Sequence, residues 1–148
     1  MNIGERINNI ENNFNSHIDW EDKYRVLIKF GKKLAPADKE TQVSKYEIKG
    51  CQSKVWLRPK LDDGKIFFSA DSDAILVKGI IGILMEAYSG ATPEEILSHP
   101  PSFLTAIGIS EHLSLNRTNG LRAMVKQIQT YASLFQALVQ KGVTSADI

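Results

Sequence analysis

The sequence predicts an α+β fold, a single domain in which a three-stranded antiparallel meander packs against helices. Two observations carry this expectation. Strand-like segments are confined to residues 46–70, and apolar stripes at helical spacing lie on both sides of them. A length of 148 residues suits one domain, 1–148, with a real core. At 43% hydrophobic and 24% charged, the composition is ordinary for a globular protein.

Each element has its own signal. Ile3, Ile7, Ile10 and Phe14 recur at helical spacing and predict a short amphipathic helix. Asp19, with Asp22 three residues on, is placed to cap a second helix running through Tyr24, Leu27 and Ile28 towards Gly31. Tyr46, Ile48 and Gly50 alternate with charged residues, as in a half-buried strand. "KVWLRPKL" reads as a second strand, in which Pro59 calls for an edge or a bulge because proline cannot donate to the ladder. "DDG" at 62–64 is a turn signal, and "KIFFSA" reads as the third strand.

Helices then resume. Asp71 or Ser72 is placed to cap a long apolar helix from about Asp73 to Tyr88, with Gly90 beyond its end. Lys78 is nearly its only cation, so most of its circumference is expected to be buried. "TPEE" at 92–95 combines Thr92 as N-cap, Pro93 as first residue and Glu95 reaching back. "PSFLTAIG" predicts one or two helical turns. Leu121, Met124, Val125, Ile128, Ala132, Phe135, Leu138 and Val139 form the clearest stripe, ending near Gly142. "LNRTNG" reads as a turn opening that helix and would put Arg117 on a loop.

Composition also limits function. Eighteen basic and 17 acidic residues leave a net charge of +1, which gives no reason to expect nucleic acid or an anionic membrane as partner. One cysteine forms no internal disulfide, so stability needs no oxidising compartment. "MNIGERINNIENNF" lacks the apolar core of a signal peptide, and "AILVKGIIGILMEAY" is broken by Lys78 and too short to span a bilayer. A cytoplasmic protein is expected. His17, His99 and His112 stand at no metal-ligand spacing from one another or from Cys51, and neither a phosphate loop nor a dinucleotide fingerprint is present. No cofactor and no metal are expected. "DSD" at 71–73 reads as a helix start with favourable acids rather than a metal or acid pair.

Attention falls on Cys51, the sole thiol, within "KGCQSKVW". A free cysteine is commonly a small buried apolar residue. Here Gly50 allows positive φ just before it, and Gln52 and Ser53 add hydrogen-bonding groups rather than apolar bulk, which favours a projecting turn. A thiol at such a tip is able to enter another protein's active site.

"DWEDKYRVLIKFGKKL", "GCQSKVWL", "DSDAILVKGIIGIL", "YSGATPEEIL" and "HLSLNRTNGLRAMV" together resemble the SufE family in order and spacing, over about Asp19 to Ile128. Ala70 replaces a usual glycine before "DSD", and "LNRTNG" replaces a more serine-rich loop. The resemblance implies a SufE/IscU-like fold and a sulfur acceptor that stimulates a cysteine desulfurase, takes its persulfide sulfur onto Cys51 and passes it on for iron–sulfur cluster assembly. The implied partners are a SufS-like pyridoxal-phosphate cysteine desulfurase and, downstream, a SufBCD-like cluster assembly scaffold. Gly50, Gln52, Asp73 and Arg117 are the candidates for supporting the loop or docking the partner.

An unperturbed thiol of pKa about 8.5 is only roughly 7% thiolate near pH 7.4, so activation is useful. Arg117, if close, would favour the anion. IscU-like scaffolds hold a cluster through several cysteines, and one thiol suits carriage rather than construction. Two further readings stay open: a structural adaptor that binds a desulfurase with an incidental cysteine, and a cysteine-dependent hydrolase or peroxidase using His112 as base.

Overall fold

In the computed structural model, which describes residues 2–50, 53–109 and 115–148 (backbone alone for 115–117), the sheet is organised by a two-residue turn. Asp63 and Gly64 both take positive φ, 50° and 75°, the backbone that matches the right-handed twist of a tight hairpin. The turn aligns strand β1, Val55–Asp62, with strand β2, Lys65–Ser72, in unbroken antiparallel register from Asp62↔Lys65 to Val55↔Ser72. Alternate residues of β1, namely Val55, Leu57, Pro59 and Leu61, turn one face into the core.

The sheet has three antiparallel strands as expected, but it is not a meander of consecutive strands. Its order is β2-β1-β3, and β3 is Ala146–Asp147, paired with Leu61 and Lys60. The segment 46–50 follows a 3-10 turn at Ser44–Tyr46 and touches β1 through a single bridge, Glu47↔Trp56. It is too short to ladder because that turn ends at Tyr46 and Gly50, at φ 89°, already leaves the strand direction. β1 is therefore central. Its Pro59 lies between the Glu47 bridge and β3, outside the pairs that either of them makes.

The helices are α1 (Ile3–Asn15), α2 (Trp20–Lys32), α3 (Ile75–Tyr88), α4 (Pro93–Ser98), α5 (Phe103–Ala106) and α6 (Leu115–Gln140). Asp19 caps α2 by accepting the Glu21 N–H at 2.9 Å, while Asp22 pairs with Arg25. Thr92 and Glu95 form the reciprocal capping box at α4. Ten of the fourteen residues of α3 are buried, as its composition requires. Gly31 and Gly79 let α2 and α3 approach backbone to backbone, and a Cβ on Gly79 would stand 2.6 Å from the Leu27 carbonyl oxygen. Phe14 stacks on Phe30, and these rings share one core with Leu57, Ile80, Leu84 and Phe135.

Two helix starts differ from expectation. α3 begins at Ile75, and its N-cap, Ala74, supplies no side-chain hydrogen bond. Asp71 and Ser72 instead finish β2, where both are buried and their side chains bond elsewhere. "LNRTNG" is not a turn but the first turns of α6, since helical backbone starts at Leu115. A glycine inside a helix costs only about 1 kcal/mol, which the long apolar stripe beyond it offsets.

Candidate functional site: the two limbs of the Cys51 loop

Cys51 and Gln52 lie outside the described residues, as does His112. The limbs on either side of the cysteine are described, and each is held by a different element. On the entering limb, the Ile48 N–H donates to the Val55 carbonyl at 2.8 Å, and Gly50 packs beside α6, where an added Cβ would lie 3.8 Å from that of Ala123. A positive φ at Gly50 produces the change of direction, a conformation that L side chains resist.

The returning limb is fixed at Lys54 through its backbone. Its N–H donates to Asp73 Oδ1 at 3.1 Å, and its carbonyl accepts from Ser72 Oγ at 2.8 Å and from the Asp73 N–H at 3.4 Å. Ser72 Oγ also accepts the Ala74 N–H at 3.2 Å. The junction of β2 and α3 therefore spends its polar side chains on the loop rather than on a helix cap. Among the expected site residues, this brings Asp73 to the base of the loop. Asp71 turns away: it takes the Ala37 and Ser72 N–H groups and pairs with Lys78 at 3.3 Å, knitting the preceding loop to the sheet and α3.

Inside the two limbs, Ile48, Val55, Ala70, Ile81 and Met124 help line an apolar cavity of about 10 Å³, space for roughly one water-sized sphere. Lys49 pairs with Glu47 at 3.9 Å on the exposed side. The backbone of Arg117 lies on α6, six residues before Ala123 and so about 9 Å along the axis from the position facing Gly50. Among the described residues, no group of three or more His, Cys, Asp or Glu is placed to hold a metal ion. Nor is any described helix long and apolar enough to cross a membrane.

Ser72 and Lys54 carry no distinguishing mark in the sequence. The hydroxyl of "DSD" is the available signal, but it reads equally well as a cap. Lys54 contributes only its backbone, which no side-chain pattern reveals.

Comparison with known proteins gives concordant results. The chain is 38% identical over 123 residues to an uncharacterized SufE-like protein of Synechocystis, covering 83% of this chain and 77% of that one. Its fold is similar to the solution structure of a hypothetical protein from Thermus thermophilus, with a TM-score of 0.75 at 23% identity, over 89% of this chain and 96% of the other. The SufE family, described as an Fe–S metabolism associated domain, matches residues 8–132, a span that contains both limbs and Cys51. With that span and that relative, the chain belongs to the SufE family.

Proposed function

We propose that the protein is a sulfur acceptor and carrier for a cysteine desulfurase, with Cys51 as the nucleophile. The Cys51 thiolate attacks the outer sulfur of the persulfide on the desulfurase's own cysteine. The S–S bond of that persulfide breaks, its inner sulfur leaves as thiolate, and Cys51 carries away –S–SH. No net oxidant is consumed, because one persulfide is exchanged for another. The acceptor thereby frees the desulfurase for a further turnover, and this is the form stimulation takes. A cluster assembly scaffold of the SufBCD kind is the onward recipient.

One observation carries the reading: the chain's only thiol falls in the family-matched span, between a limb resting on α6 and a limb tied to Ser72 and Asp73. Limbs fixed on both sides suit the delivery of a thiol carried between them into another protein's pocket. Gly50 supplies the turn, and Gln52, Asp73 and Arg117 are the groups assigned to loop support or docking.

Intact mass tests it. After incubation with a SufS-like desulfurase and L-cysteine, the protein is expected to gain one or more sulfur atoms that a reductant removes. Cys51→Ser is expected to fold and bind the desulfurase but to gain nothing and give no stimulation. An unchanged wild-type mass, or full stimulation by the serine variant, would replace carriage with an adaptor role.

A further inference from the structure

The outer flank of β1 is shared by two short segments far apart in sequence. At one end Glu47 bridges Trp56, and at the other Asp147 and Ala146 pair with Lys60 and Leu61. Tyr46 joins them: its hydroxyl donates to the carbonyl of Ile148 at 2.7 Å, across 102 positions of sequence. The Tyr46 ring is buried, with Lys45 Nζ at 5.3 Å and the Arg58 guanidinium at 5.6 Å from its centre, so the direction of the hydroxyl is set by packing. The other end of the segment is anchored where the Gly64 N–H donates to the Thr144 carbonyl at 3.0 Å.

We propose that residues 144–148 form a detachable strap on the limb that enters the Cys51 loop, with Tyr46 as the positioning residue that couples them. Tyr46 precedes Glu47, Ile48 and Gly50, the residues that bridge β1, bond Val55 and turn towards the cysteine. With the strap seated, the start of this limb is tied at the Tyr46 hydroxyl as well as through its own contacts with β1. With the strap released, the limb keeps the Glu47–Trp56 bridge, to which the Ile48 bond to Val55 belongs, and the burial of Tyr46 and Ile48, but it loses the tie at the Tyr46 hydroxyl and gains freedom. The strap is suited to release, because it pairs through two residues only, its Ser145 contacts to Asp62 and Asp63 are long at 3.5 Å, and Thr144, Ser145 and Asp147 are exposed while Ala146 and Ile148 are only half-buried against the core. It also lies beyond the residues 8–132 that the family shares. A two-state element of this kind biases whatever it touches by its seated fraction. The consequence for sulfur transfer rests on the carrier reading of Cys51; the mechanical coupling does not.

Amide exchange tests the coupling without any desulfurase. Tyr46→Phe removes the hydroxyl and keeps the ring, while Ala146→Pro with Asp147→Pro removes both N–H donors of β3. Each variant is expected to speed exchange at Ile48 by roughly two- to ten-fold, the loss of one modest hydrogen bond, with α3 amides unchanged. Combining them is expected to give less than the product of the two effects, because both act through one strap. Unchanged Ile48 exchange in the single variants, or effects that simply multiply, would overturn the proposal. Should the proline variant fail to fold, Tyr46→Phe decides alone. A wild-type protein that accepts no sulfur while the coupling holds would sink the carrier reading and leave the strap standing. Sulfur acceptance with unchanged Ile48 exchange would do the reverse.

Discussion

Asp73 Oδ1 accepts the backbone N–H of Lys54 at 3.1 Å, tying the start of the apolar helix region to the residue that closes the Cys51 loop. With Ser72 Oγ on the Lys54 carbonyl, the two "DSD" side chains hold both polar groups of one backbone residue. Asp73 is exposed while Ser72 is buried, so the tie is accessible to solvent and to a docking protein on one side only.

The first prediction follows from that tie. Asp73→Ala removes an acceptor at an exposed site and is expected to cost no more than about 1 kcal/mol, while exchange at the Lys54 amide rises. Asp73→Asn keeps an acceptor oxygen in place and is expected to restore Lys54 protection. Hydrogen exchange on the two variants checks this. Equal protection of Lys54 in the wild type and Asp73→Ala would mean the bond does not restrain the loop.

Much of this architecture is legible in the sequence, and the failures share a cause. The "DDG" turn, the Thr92–Glu95 capping box and the stripe beginning at Leu121 rest on local chemistry, and they stand as expected except at the end of the stripe, where Val139 is exposed. The third strand is misplaced because Tyr46, Ile48 and Gly50 alternate like a strand, yet pairing on that flank of β1 is decided by competition with residues a hundred positions away. "DSD" reads as a cap for the same reason: the oxygens of an aspartate or serine bond whichever backbone groups the tertiary fold brings near, here Lys54 as well as the Ala74 N–H, and the sequence alone does not say which. The proposal for Cys51 rests on its uniqueness and its motif, and the residue itself lies outside the described residues. The hydrogen bonds that fix its flanking limbs are not legible in the sequence, since they run through backbone atoms.

A second prediction concerns the approach of α2 and α3. Gly79→Ala places a carbon 2.6 Å from the Leu27 carbonyl oxygen and 2.8 Å from Leu27 Cγ, and backbone cannot yield as a flexible side chain does. Overpacking of this kind is expected to cost about 2 kcal/mol and to lower Tm by roughly 6 °C in a chain of this size. Gly4→Ala provides the contrast. Its new carbon meets only Asn2 Oδ1 at 3.4 Å, within a helix that favours alanine. Thermal melts should show Gly4→Ala at or above the wild type. A Gly79→Ala protein of undiminished Tm would show that the two helices separate freely.

A third prediction is an acid dependence. The Thr92 N–H donates to Glu95 Oε1 at 3.0 Å, and the Thr92 backbone hydrogen bond holds the Glu95 carboxyl below its ordinary value of 4.5. A carboxyl with a depressed folded-state pKa adds stability that is present above its unfolded value and is lost as pH falls through the folded value. Solvent screening limits that contribution to no more than about 0.5 kcal/mol. Glu95→Gln is therefore expected to be slightly less stable than the wild type at neutral pH, with the difference shrinking as pH falls below the ordinary carboxyl value and towards the lower folded one. Denaturant titrations at pH 7 and pH 3 check it, and a gap that is unchanged or wider at pH 3 would contradict the assignment.

The last prediction concerns where a desulfurase docks. If Cys51 enters that enzyme's pocket, the surface beside the two limbs meets it. Asp73 stands at the base of the returning limb, and Arg117 is carried on α6 near the position that faces Gly50. Charges at the rim of an interface act mainly on association and its salt dependence. Asp73→Arg and Arg117→Glu are each expected to change desulfurase affinity several-fold at low salt, with the effect shrinking as salt rises and Tm staying within a few degrees. Lys141 provides the control, because it follows α6 about 27 Å along the helix from Ala123 and is exposed. Lys141→Glu makes a charge change equal in size to that of Arg117→Glu, so any effect of net charge alone appears in both. Binding titrations at two salt concentrations separate the cases: equal changes from Arg117→Glu and Lys141→Glu would place the docking surface elsewhere on the molecule.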